Sequence, residues 1–123
     1  MELHNKAVDQ YMNLSRIFTE NNRKFSSGLD GMGVSEYFIV YHLYNAPQKK
    51  MRRIDLADKI GLTASGVTRI LAPMEKIGLV SREKTEHDAR VSFVTLTSSG
   101  ERNCIEAFER ITRLAEAVFP GDR

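Results

Sequence analysis

The chain has 123 residues, 41% of them hydrophobic, and a formal net charge of +2, which bounds it to one domain with a modest core. No apolar run approaches the roughly 20 residues of a membrane-spanning helix. The opening MELHNKAVDQ lacks a basic-then-apolar leader pattern, so a cytoplasmic location is expected and no membrane partner is. Cys104 is the single cysteine, which excludes an intrachain disulfide. No G-x-S-x-G, P-loop or H-E-x-x-H occurs, so neither an enzyme nor a bound cofactor is expected.

Residues 3–25 read as a helix. Ala7, Tyr11, Leu14, Phe18 and Phe25 form a seam of three- and four-residue steps, with Val8 and Ile17 off it. SSGLDGMG, 26–33, reads as a glycine-rich loop. Ser35 is placed to cap the next helix, SEYFIVYHLYNA, which is apolar nearly all round and therefore central. Pro47 stops it. QKKMRR follows as a basic connector with a very short strand around Met51.

The segment 56–97 is the most informative. Leu56, Ala57 and Ile60 give a short apolar stripe, and Gly61 breaks that helix. Thr63 can cap a second helix with the stripe Val67, Ile70, Leu71, Met74 and Ile77, which Gly78 ends. Two helices joined this tightly must cross, and the second is presented outward. Pro73 inside it predicts a bend, because it removes the bond to the Arg69 carbonyl. LVSREKT and SFVTLT then read as two strands split by the polar tip EHDARV. A last helix begins near Thr97 or Ser98, where Ser98 with Glu101 fits a capping box. Its apolar positions are Cys104, Ile105, Phe108, Ile111, Leu114, Ala115 and Val118, and Phe119-Pro120-Gly121 closes it.

The fold class expected is mainly α with a small antiparallel β-wing: a winged helix-turn-helix with long N- and C-terminal helices. An outward helix beside a β-ribbon with an arginine at its tip fits a duplex, helix in the major groove and arginine in the minor groove. Charge agrees. From Lys49 to Arg90 there are ten Lys or Arg against six Asp or Glu, a net +4, which leaves −2 for the rest.

The run LADKIGLTASGVTRILAPMEKIGLVSRE, followed by HDARVSFVTLTSSGE, resembles the winged-helix core of MarR-type transcriptional regulators. The resemblance rests on Leu56-Ala57, on Ser65-Gly66-Val67-Thr68-Arg69 at the start of the recognition helix, and on Glu75-Lys76 with Gly78-Leu79-Val80 at its exit. Asp88 and Arg90 match the wing tip, and Leu96-Thr97 with Gly100 the return into a long helix. It covers most of the chain. It implies a DNA-binding core at 34–97, flanked by dimerisation helices and a loop at 1–33 and 98–123. It also implies a homodimer on a double-stranded operator, a repressor role, and room for a small-molecule effector of unidentified chemistry. The family usually continues into a further C-terminal helix, whereas this chain stops at Arg123, so the dimer contact is expected to be incomplete or built otherwise.

The residues expected at the DNA are Ser65, Gly66, Thr68 and Arg69 on the second helix, with Arg69 suited to a guanine edge or a phosphate. Arg90 is the minor-groove candidate, held by Asp88; Arg82 and Lys84, with His87, flank it near phosphates. Lys49, Lys50, Arg52 and Arg53 fit a phosphate-contacting or a merely solvated loop equally well. Cys104 reads as a small core residue rather than a redox sensor. His4, His42 and His87 lie in unrelated segments, and no metal is expected. Tyr37, Tyr41 and Tyr44 read first as core. The alternative function is a winged-helix protein-interaction module or heterodimerising partner without operator binding of its own.

Overall fold

In the computed structural model, residues 3–28, 33–84 and 92–118 are described, with backbone alone at 25–28, 84 and 118. The first helix, α1, spans Lys6–Gly28. The Asn5 side chain starts it, its Oδ1 accepting from the amides of Ala7 at 2.8 Å and Val8 at 3.3 Å. Ser26, Ser27 and Gly28 belong to the helix and not to the loop expected from 26 onward. Serine costs only a few tenths of a kcal/mol in a helix, about half of glycine's penalty, so two serines do not end one. The rest of that expected loop, 29–32, lies outside the described residues.

Helix α2, Val34–Asn45, starts one residue earlier than expected, and Ser35 does not cap it. Gly33 holds the cap position in extended backbone without a side-chain bond. The Glu36 carboxylate folds back over Gly33 so closely that a Cβ there would collide with it. That places negative charge at the positive end of the helix. Tyr37, Ile39, Val40 and Leu43 are buried, while Phe38 and Tyr41 remain substantially exposed, so α2 is central on one side and open on the other. Ala46 leaves the helix in extended backbone, as a residue before proline prefers.

A 3-10 turn at Pro47–Lys49 leads into strand β1, Lys50–Arg52, which realises the short strand expected around Met51. The wing strands are β2, Val80–Lys84, and β3, Ser92–Leu96. The sheet order is β1-β3-β2, antiparallel throughout, with Val94 facing Met51 on one side and Arg82 on the other.

Helix α3, Arg53–Ile60, and helix α4, Ala64–Lys76, form the helix-turn-helix. Gly61 ends α3 at φ 72°, and Gly78 follows α4 at φ 85°, left-handed positions that an L side chain occupies only with strain. Leu56 and Ala57 from α3 meet Val67, Leu71 and Met74 from α4 and Val94 from β3 in one buried cluster around α2. Pro73 lies on the exposed side of a single unbroken helix. Ile77 does not continue the buried stripe: it is the C-cap residue at φ −90°, ψ 0°, out of helical phase, and 71% exposed.

Helix α5 spans Ser98–Val118. Its cap is Thr97 and not Ser98, with Thr97 Oγ1 accepting from the Gly100 amide at 3.0 Å. The same hydroxyl donates toward the carbonyls of Gly78 at 2.6 Å and Leu79 at 2.9 Å, and the Thr97 amide donates to Leu79 O at 3.1 Å. A β-carbon on Gly100 would overlap the Leu79 carbonyl. The exit of α4, the base of the wing and the start of α5 therefore meet in one knot. Cys104 and Ala107 face the core, while Ile105 and Phe108 face outward.

Candidate nucleic-acid interface

The first turn of α4 is built by its cap. The Gly66 amide donates to Thr63 Oγ1 at 3.0 Å, and Ser65 Oγ lies 3.3 Å from the same oxygen. A β-carbon on Gly66 would stand 3.2 Å from that cap oxygen, so the glycine protects the cap as well as keeping the surface low. Because Val67, Leu71 and Met74 point inward, Ser65, Arg69, Ala72 and Lys76 fall on one exposed strip at helical spacing. Lys76 was not anticipated as part of this surface, since in sequence it reads only as helix exit.

The cations expected at phosphates divide by partner. Arg52 makes two hydrogen bonds to the Asp55 carboxylate, at 2.9 and 3.2 Å, which hold the Asp55 carboxyl below its ordinary range. Lys50 lies 3.7 Å from Glu83 and over the Phe93 ring. Arg82 is paired with Glu75 at 2.8 Å, tying the wing to α4. Lys49 sits 4.4 Å from the centre of the Tyr44 ring and 3.4 Å from Glu101. Gln48 and Lys49 reach that position through left-handed backbone, φ 58° and 53°, which is strained for residues other than glycine.

Arg53 and Arg69 differ from these. Arg53 Nη1 donates to Thr68 Oγ1 at 3.0 Å, a neutral partner, and among the described residues no carboxylate pairs with it. Among the described residues, Arg69 is exposed with neither ion pair nor hydrogen bond. Lys84 pairs in register with Ser92 through its backbone. Asp88 and Arg90, with His87, lie outside the described residues.

Cys104 is buried, and burial pushes its thiol up, with the Lys49 ammonium acting in the opposite direction. Beside it an open pocket of about 470 Å³ is lined by Tyr41, Tyr44, Asn45, Cys104, Ile105 and Phe108. No described helix is long and apolar enough to cross a membrane.

This arrangement has counterparts in known proteins. Residues 34–92, from the start of α2 to the first residue of β3, match the MarR family. Over that segment the chain is of MarR type. The transcriptional regulator HosA of Escherichia coli O127:H6 is 29% identical over 102 residues, covering 83% of this chain and 72% of HosA. The crystal structure of AbsC, a MarR-family regulator from Streptomyces coelicolor, superposes with a TM-score of 0.84 at 21% identity, over 97% of this chain and 82% of that one. Sco3205 from the same organism, a MarR-family regulator solved in complex with DNA, superposes at 0.75 with 25% identity, over all of this chain and 81% of that one. The family, the named relatives and the fold are those of transcriptional regulators and not of enzymes.

Proposed function

We propose that this MarR-type protein is a sequence-specific double-stranded DNA-binding regulator of the cytoplasm, acting as a repressor that occupies its operator as a homodimer. The observation that carries this reading is the outward strip of Ser65 and Arg69 at the start of α4, with a guanidinium that is unpaired among the described residues on a helix whose opposite face is locked in the core. Helix α4 enters the major groove, where Arg69 can pair with a guanine edge. The wing at 85–91 offers Arg90, steadied by Asp88, to the minor groove. Arg53, Arg82, Lys84 and Lys76 then flank the phosphates, with Lys50 and Arg52 behind them. The solved DNA complex of Sco3205 supports the reading by likeness.

The dimer is proposed to form through 1–33 and 98–123, because Tyr11, Leu14 and Phe18 on α1 and Phe108 on α5 stand open to solvent. A single recognition helix and wing bury too little surface for tight specific binding. The pocket beside Tyr44 and Cys104 is the place to look for a small-molecule effector. Selection of genomic fragments at fixed salt tests the function. Arg69→Ala should weaken the selected site by about 1–3 kcal/mol while the fold is retained. Equal affinity of parent and variant removes α4 as the reading element.

A further inference from the structure

Thr68 lies on the DNA-facing side of α4, yet its hydroxyl is already engaged. Its one proton is donated to the Ala64 carbonyl at 3.0 Å. One lone pair accepts from Arg53 Nη1 at 3.0 Å. A threonine hydroxyl has a single donor, so Thr68 has none left for a base acceptor. Arg53, in contrast, gives Thr68 only one of its five N–H groups and pairs with no carboxylate among the described residues. It is the first residue of α3, the helix that in this motif crosses the sugar-phosphate backbone. The neighbouring Arg52 shows the opposite fate, its fork closed on Asp55.

We propose that Arg53 is a pre-oriented phosphate clamp and that Thr68 is its positioning residue rather than a reader of bases. The inference rests on the reading that α4 enters the duplex. A long side chain loses rotational freedom when it grips a phosphate, and a guanidinium already held against the recognition helix loses less. The bond also spans the helix-turn-helix, so the clamp and α4 keep one geometry.

The test uses the full chain with Arg53→Ala, Thr68→Val, Thr68→Ser and the double variant Arg53→Ala/Thr68→Val. Affinity is measured on a selected duplex and on an unrelated one across a salt series. Arg53→Ala should lower affinity about tenfold on both duplexes and reduce the salt slope by about 0.9. Thr68→Val should show a smaller loss, also equal on both, with the preferred sequence unchanged. The double variant should be no weaker than Arg53→Ala, and Thr68→Ser should restore parental binding. In the free protein, the Arg53 Nη protons should be resolved by NMR in the parent and Thr68→Ser and averaged in Thr68→Val. A changed base preference in Thr68→Val, with additive losses in the double variant, makes Thr68 a reader and overturns the clamp. Averaged Arg53 protons in a parent that binds DNA overturn the clamp alone. A parent that binds no duplex overturns the reading of α4, and the clamp with it.

Discussion

The helix-turn-helix and the two long helices are written in the same amphipathic code, and the fold treats them differently. Leu56, Val67 and Leu71 are essentially sealed from solvent, whereas Tyr11 is 69% exposed, Phe18 60% and Phe108 53%. The short helices close on α2 within the chain. The long ones leave part of their seams open, although Cys104 and Ala107 of α5 join the core and α1 and α5 touch each other and α2. Apolar periodicity therefore specifies that a face will be covered, and leaves open whether the same chain covers it. The inner cluster accounts for the stability of one chain; the outer faces are available to a second.

Leu71→Ala attacks the inner cluster and should cost about 2–5 kcal/mol, read as a lower denaturation midpoint at unchanged slope. Phe18→Ala in the same assay at the lowest protein concentration should cost under about 0.5 kcal/mol while weakening self-association in sedimentation. Equal losses from the two substitutions would collapse the distinction between inner and outer faces. Gly100→Ala strikes where the regions join. The added methyl meets the Leu79 carbonyl and the Leu96 side chain, and the expected loss is about 1–3 kcal/mol. A neutral Gly100→Ala would mean that α5 slides freely over the wing base.

The smallest effect, absent at neutral pH, belongs to Tyr37. Burial first, and then the negative charge that Cys104 and Tyr41 acquire on ionisation, push its phenol from 10.0 up to about 12. The folded state retains a proton that the unfolded chain releases. The contribution is thus complete below pH 10 and is lost as pH rises toward about 12. Tyrosinate absorbance should show one late-titrating phenol that Tyr37→Phe removes together with the alkaline loss of stability. Its persistence in Tyr37→Phe would assign the shift to another tyrosine.

What the sequence made legible was local. Thr63, Gly61 and Gly78 act within a turn of themselves, and the cap and both left-handed stops occur where expected. Even nearby choices failed where a competing neighbour intervened. Gly33, with Glu36 folded over it, takes the cap position ahead of Ser35, and Thr97, bonded to the carbonyls of Gly78 and Leu79, caps ahead of Ser98. The interface was less legible than the fold because its charges are assigned by distant partners. Arg53 meets Thr68 fifteen residues on, Arg82 meets Glu75 on another element, and Lys49 turns away to Tyr44 and Glu101. Counting cations along 49–90 ranked these residues alike, and the structure separates them by what neutralises them.

The knot at Thr97 has a mechanical consequence. Helix α5 has 21 residues, a rod of roughly 30 Å. Its root is bonded to the exit of α4 and to the wing base through one hydroxyl, and Gly100 permits no spacer there. A rod gripped at one end works as a crank. At the helical rise per residue, each degree of tilt at the root sweeps the far end through about half an ångström, and that root is bonded directly to the exit of α4 and to the wing base. Whatever takes hold of the distal end of α5 therefore pulls on the exit of α4 and on the wing base together.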